Sequence, residues 1–323
     1  MGWKFGATGK CFTGPQGRSQ AVKQGRAIKA SAFRNDEIDD AVLRIRRRQA
    51  QGIKKPKKKP PAKLPVWIFP FPVEREYEKV LLAFVDSLSR TIAASVTPHL
   101  QSLLDERNLI LPEAARSDDF ADSIERLIAA TSLAFDGNAF EKAAVATRVG
   151  NQTNNWNDKE WTKQKRAAFG VDIVQREPFI NSSINSFVKE NVALISKMEN
   201  EYLRNIEGTV QRGIRSGETI ASLTKEIQDV TGKTKNRARL LARDQVGKLN
   251  GDLTELRQTN LGVEKYKWRD SDDSRVRPNH RTKDGRTFSW DKPPPDTGHP
   301  GEDIQCRCYA EPIFDDIFEE LTP

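Results

Sequence analysis

Two histidines and two cysteines near the C-terminal end are the densest concentration of chemistry in this sequence. His280, His299, Cys306 and Cys308 follow one another as His-x18-His-x6-Cys-x-Cys. Two imidazoles and two thiolates make a tetrahedral donor set for zinc, whose structural sites are closed by four such ligands. A small, Pro-rich module gains stability from a metal of this kind. Cys-x-Cys is, however, tighter than the two-to-four-residue gap usual between paired zinc cysteines. A second reading needs no metal. Residues 306 and 308 of an extended segment point to one side, so both thiols can be buried. His280 then holds an acidic turn by hydrogen bonds, with Arg275, Arg277 or Arg307 paired to Asp272, Asp273 or Asp284. Structural zinc is therefore the one cofactor these residues point to, without being fixed by them.

The same residues can be weighed as catalysts. His280 with Asp273 and Asp284 could serve as general base in a metal-dependent nuclease. Asn279-His280 superficially resembles small His-Asn-His nuclease sites, but the further Asn and His at helical spacing are missing. Cys306 could be a nucleophile with His280 or His299 as base, yet nothing in the sequence sets up an oxyanion hole. No catalytic residue is assigned, and a protein without enzymatic activity is expected. Three cysteines in all, Cys11 among them, make an odd count that speaks for free thiols or a metal site rather than a disulfide framework.

A second concentration of chemistry is basic. Residues 1–60 hold 16 Lys and Arg against 4 Asp and Glu, a net +12, whereas the whole chain is +8. The basic character thus belongs to the first segment. Arg46, Arg47 and Arg48 are followed by Lys54, Lys55, Lys57, Lys58 and Lys59, with prolines at 56, 60 and 61. Prolines and like charges keep this strip extended. It is either a solvated tail or a phosphate contact that binds DNA non-specifically by counterion release.

The elements that must position these residues follow from apolar periodicity. Residues 1–35 are Gly-, Ser- and Lys-rich and read as disordered; residues 36–51 carry a short helical pattern. Leu64 to Val73, with three prolines, reads as an extended linker that docks on the body. Apolar stripes at three- and four-residue spacing predict helices over 74–106, with a kink or split at Pro98, and over 117–135, 139–149, 180–215, 219–232 and 234–260. The Asn-rich stretch 150–157 reads as a loop. Residues 263–269 and 286–290 read as strands, with Tyr266 and Trp268 on one face and Asp284-Gly285 as a tight turn. No apolar run approaches the ~20 residues of a membrane helix, no secretory signal pattern is present, and synthesis and action in a cytoplasm without membrane contact are expected. The fold class is mainly α: a disordered basic arm and Pro-rich linker (1–73), a helical body (74–232), a small α+β module (233–315) and an acidic tail (316–323).

That module resembles a known family. A helix carrying Arg243, a strand ending in Trp268, an Asp273…Arg277-x-x-His280 segment, the Asp284-Gly285 turn and a Gly301…Cys306-Arg307-Cys308 ending occur in this order. In that order they resemble the Mu F-like minor head, or head morphogenesis, proteins of tailed bacteriophages. The resemblance covers about 180–315 and is closest over about 240–312. One departure stands out: the family usually has Arg-Thr-Glu where this chain has Arg243-Asp244-Gln245, so a carboxylate is missing at 245. The resemblance implies a minor virion component, present in low copy in the head interior or at the portal vertex, that works with the portal protein and other head proteins in head assembly. The host cytoplasm would be its site of assembly, and the basic arm fits contact with packaged DNA. The alternatives are a non-specific DNA-binding module with structural zinc, or a phage-borne, nuclease-like effector enzyme.

Overall fold

The computed structural model describes residues 3–4, 11–12, 63–109, 118–133, 139–170, 173–315 and 317. The helical pattern over 36–51 and the basic residues Arg46, Arg47, Arg48, Lys54, Lys55, Lys57, Lys58 and Lys59 lie outside the described residues. The fold is mainly α with a small three-stranded sheet near the C-terminal end. Two short strands, β1 (Trp3–Lys4) and β2 (Cys11–Phe12), pair antiparallel. Helices α1 (Phe71–Ser95), α2 (Leu100–Leu109), α3 (Asp118–Leu133), α4 (Ala139–Phe169), α5 (Ile180–Ser216) and α6 (Ile220–Leu261) follow. Strand β3 (Lys265–Arg269), a four-residue helix α7 (Pro278–Arg281), β4 (Thr287–Ser289) and β5 (Tyr309–Pro312) complete the order.

The expected break at Pro98 is present. The first helix ends at Ser95, a 3-10 turn covers Thr97–His99, and α2 begins at Leu100. Pro98 cannot donate a helical hydrogen bond, so the ladder stops there. By length and composition alone Phe71–Asp105 is long and apolar enough to cross a membrane, the mean hydropathy of an 18-residue window within it being 1.4. The stretch is not one unbroken apolar run, since Asp86 and Arg90 interrupt its most apolar part. Its Tyr77, Leu81, Val85, Leu88 and Ile92 are buried at three- and four-residue spacing, the stripe of a core helix.

Two expected interruptions are absent. The Asn-rich stretch 150–157 is helical within α4, and Gly232 lies inside α6. In both places polar side chains satisfy groups that a loop would expose to water. Thr153 Oγ1 bonds Val149 O at 2.9 Å, and Asn157 Nδ2 bonds Asn250 O at 2.9 Å and Thr254 Oγ1 at 2.8 Å. Thr231 and Thr234 bond the carbonyls one turn back at 3.0 Å. The expected division at 232/233 thus falls within a helix. The stop at Gly217 does form: its φ is +70°, Glu218 N bonds Gly213 O at 2.8 Å, and Thr219 Oγ1 caps Ser222 N at 3.2 Å. Glycine takes this left-handed conformation without the clash a Cβ would bring.

The chain forms two compact units, each discontinuous in sequence. One comprises residues 70–153 and 184–246. Its core joins Leu88, Ile92, Val96 and Leu100 with Ile124 and Ile128, and with Tyr202, Ile206, Val210, Ile214 and Leu223. The other comprises residues 1–69, 154–183 and 247–323. In it the Pro-rich linker docks on α4: Leu64, Trp67 and Phe69 are buried, Ile68 N bonds Glu160 Oε2 at 3.1 Å, and Gln164 Nε2 bonds Pro65 O at 2.7 Å. Leu64 and Trp67 share a cluster with Trp161, Phe169, Leu261, Val263, Phe314 and Ile317.

The sheet of this second unit has the order β4-β3-β5, all antiparallel, with Tyr266 opposite Phe288 and Trp268 opposite Ala310. Alternation along β3 puts Tyr266 and Trp268 on the buried face. There they pack with Trp290, Cys306, Cys308 and Ala310.

Candidate functional site

The chemistry gathers on that buried face. Helix α7 starts at Pro278, a residue suited to a first helical turn, and its third residue, His280, is buried edge-on against Trp268 with ring centroids 5.5 Å apart. Cys306 and Cys308 arrive on the extended segment before β5, both buried and neither in a disulfide. Nδ1 of His280 lies 3.4 Å from Cys308 Sγ and 3.5 Å from Cys306 Sγ. The three donor atoms lie within 4.8 Å of one another.

The opposite ring nitrogen is held separately. His280 Nε2 is 3.0 Å from Asp303 Oδ2. Arg277 Nη1 reaches the same carboxylate oxygen at 2.8 Å, and Nη2 reaches Ile304 O at 2.7 Å. Asp303 thus fixes the ring plane and the tautomer. Pairing Nε2–H with the carboxylate leaves Nδ1 facing the sulfurs.

The loop that carries Asp303 and Cys306 is pressed onto α6 by glycines. A Cβ on Gly251 would stand 2.7 Å from Pro300 O, and one on Gly301 would stand 2.9 Å from Gly251 Cα. Gly247 meets Cys306 O in the same way, at 3.0 Å. Gly301 takes φ +97° and Gln305 φ +56°, and Gly301 N donates to Cys306 Sγ at 3.4 Å. A left-handed non-glycine residue next to a buried thiol is a local cost that the surrounding structure must hold in place.

The electrostatics follow from these contacts. The Cys308 thiol, followed by the His280 ring and the Gly301 amide, holds Cys306 well below the usual thiol range against the cost of burial. Cys308 is pushed up, first by its hydrogen bond to Cys306 and then by burial. The bond to Cys306, aided by Asp303, raises His280. Without a metal the cluster therefore favours one thiolate, on Cys306, beside a protonated imidazole. The set can do two things: pair an imidazolium with a thiolate, or present an imidazole nitrogen and two sulfurs to a soft or borderline cation.

His299 is placed differently. Its Nδ1 is 2.8 Å from Tyr266 Oη, and its ring packs against Trp290 at 4.8 Å and Tyr266 at 5.6 Å. Burial, then the Glu255 and Glu302 charges, raise Tyr266, so its hydroxyl stays protonated and can donate to His299. Of the four expected ligands, the geometry groups His280, Cys306 and Cys308 and gives His299 to an aromatic box.

The remaining motif residues are architectural. Asp273 accepts Arg275 N at 2.8 Å and pairs with the Arg275 side chain at 3.4 Å. Asp284 Oδ1 accepts Asp270 N at 3.1 Å, and Gly285, at φ +73°, donates to Trp268 O at 2.9 Å. Arg307 lies over the Phe69 ring at 5.5 Å. Arg243 pairs with buried Glu74 at 3.3 Å. Gln245, where a carboxylate was missing, accepts Asn191 Nδ2 at 3.0 Å in a buried network with Tyr77. Two functional-looking groups escaped the sequence reading. Asp303 gave no signal beyond lying in the loop before Cys306. Arg257, only 1% exposed and bound to Glu177, looks in sequence like one more helix-surface arginine.

Residues 204–311 match the profile of the family described as Phage Mu protein F like protein. An uncharacterized protein of Haemophilus influenzae is 35% identical over 182 residues, 55% of this chain and 37% of that protein. A protein of Enterococcus faecalis named NAD(+)--arginine ADP-ribosyltransferase EFV is 25% identical over 140 residues, 39% of this chain and 28% of that protein. The chain thus spans little more than a third of the length of the first relative and less than a third of the second. No solved structure matches.

Proposed function

We propose that this chain, with the phage Mu F-like segment at 204–311 as its premise, is a minor head protein of a tailed bacteriophage that acts in head morphogenesis. That match carries the reading. The geometry supports it in one respect: the residues that define the motif are spent on turns, packing and ion pairs, as a part that must hold its shape within an assembly requires. The finer reading is low copy number at or near the portal, with the portal protein and other head proteins as partners. Quantitative mass spectrometry of purified virions and of head intermediates tests it. The expected result is the chain in particles, far below the major capsid protein; absence from both particle types refutes the reading.

The basic segment supplies the second part of the proposal. Arg46 to Arg48 and the lysines from Lys54 to Lys59 would contact packaged DNA through phosphates alone. Eight such contacts would give log affinity against log salt a slope of about −7, from about −0.9 per neutralised phosphate. Replacing the eight residues with Gln should abolish the salt-dependent shift. A shift that survives deletion of residues 1–60 places the contact elsewhere.

A further inference from the structure

We propose that His280, Cys306 and Cys308 bind one zinc ion, through Nδ1 and the two thiolates, with Asp303 as the positioning residue on the far side of the imidazole. Zinc binds thiolate sulfur at about 2.3 Å and imidazole nitrogen at about 2.0–2.1 Å, so a tetrahedral site has an N···S edge of about 3.6 Å. The observed edges are 3.4 and 3.5 Å. One ring nitrogen facing two sulfurs at nearly equal distance is poorly served by a single N–H, which points at one acceptor. A cation between the three atoms is served by all of them.

Two independent features point the same way. Metal-ligating histidines nearly always donate the other ring N–H to a carboxylate or carbonyl, which orients the ring; Asp303 sits at 3.0 Å in that position. Arg277 in turn fixes Asp303. The Gly301 amide donates to Cys306 Sγ, a bond suited to a thiolate. The loop turns back on itself through left-handed residues at 301 and 305 to deliver Cys306. Two sulfurs and one nitrogen select a borderline-soft ion over magnesium or calcium. Three protein donors leave the fourth tetrahedral position to water or to a group brought by a partner. The ion would tie α7 to the segment entering β5, beside the bonds of Arg277 to Asp303 and Ile304 O. Nothing in this inference depends on the role in head assembly.

The test uses the full chain, purified under reducing conditions and dialysed. Elemental analysis should find one zinc per chain, and magnesium should not compete. Titration of the metal-free chain with cobalt(II) should produce the intense thiolate-to-cobalt absorption of a tetrahedral site. Cys306→Ser with Cys308→Ser should remove both signals, and His299→Gln should leave both. Asp303→Asn should keep the cobalt spectrum and weaken zinc affinity by about 10–100-fold. Should the cysteine variant fail to fold, the cobalt spectrum of the unaltered chain decides alone. A chain that holds no zinc and shows no cobalt–thiolate band overturns the proposal. So does zinc retained by the double serine variant, and loss of metal in a folded His299→Gln chain overturns the three-ligand set.

Discussion

Arg257 is buried in the second unit, and replacing its partner should be costly. The guanidinium, 1% exposed, lies inside the unit. Glu177 accepts from Nε and Nη2 at 2.8 Å each, Asn157 Oδ1 accepts from Nη1 at 2.6 Å, and Asn154 Oδ1 accepts from Nη2 at 2.8 Å. One side chain of α6 thereby joins α4 and the segment that leads into α5. Glu177→Gln keeps the shape but replaces one of the two oxygens by an amide NH2 that faces another donor. An arginine charge is then left buried without an anion. Breaking a buried pair from one side costs about 3–5 kcal/mol. The Glu177 side chain is 18% exposed, so water can approach and the loss should fall nearer about 2–3 kcal/mol. In a unit of this size that is roughly 4–12 °C in melting temperature. Urea unfolding followed by circular dichroism measures it. Arg257→Met combined with Glu177→Leu should recover most of the loss, because an apolar pair of similar volume is often as stable as the ion pair it replaces. If Glu177→Gln lies within about 0.5 kcal/mol of the unaltered chain, or the double replacement is worse than either single one, the pair does not hold the unit as argued.

Other perturbations have defined outcomes. Gly251→Ala puts a methyl 2.7 Å from Pro300 O; overpacking of this kind costs about 1–3 kcal/mol, and hydrogen exchange should show the 300–306 loop loosened before α6 itself. Tyr266→Phe removes the buried bond to His299 Nδ1 and should cost about 1–3 kcal/mol in denaturant unfolding. Lys283, bonded to Asp296 at 2.6 Å, holds that carboxyl below its usual range. A depressed folded pKa adds stability above the unfolded pKa, lost as pH falls through the folded one; Lys283→Met should return the Asp296 titration, followed by NMR, to the ordinary carboxylate range.

How far the sequence discloses this architecture depends on what faces inward. Where the inward residues are apolar, as with Leu81, Val85, Leu88 and Ile92 or Ile206, Val210 and Ile214, period alone locates the helix. Alternation around Tyr266 and Trp268 discloses β3 in the same way. Where the inward residues are polar and bonded, period fails: α4 buries Thr153, Asn157, Glu160 and Gln164, and the bonds of the last three to Asn250, Ile68 and Pro65 are long-range facts that no local window contains. The site divides along the same line. The Cys306/Cys308 pair and His280 were legible from residue type. His299, equally suited by type, was claimed by a tyrosine hydroxyl, and Asp303 was invisible because its partner lies 23 residues away.

The discontinuity of the second unit also bears on what a match to residues 204–311 means physically. Strand β5 ends at Pro312, and just beyond it Phe314 stacks on Trp161 at 5.9 Å and meets Phe169 edge-on at 5.1 Å. Trp161 and Phe169 come from α4, and Leu64 and Trp67 of the same cluster come from the Pro-rich linker. None of these lies in the matched segment. A fragment cut to 204–311 would therefore contain β3, β4, all of β5 but Pro312, and the residues His280, Cys306 and Cys308. It would expose Leu261 and Val263, remove the partners of Arg257, and take Phe69 away from Gly247. Each apolar side chain returned to water forfeits about 1.5–3 kcal/mol, and domains are stable by only about 5–15 kcal/mol. Within this unit the matched residues 247–311 are thus one wall, and the other walls come from residues 63–69 and 154–183, far off in sequence. Segments 63–69 and 154–183 must accompany the matched residues for the site to hold its geometry.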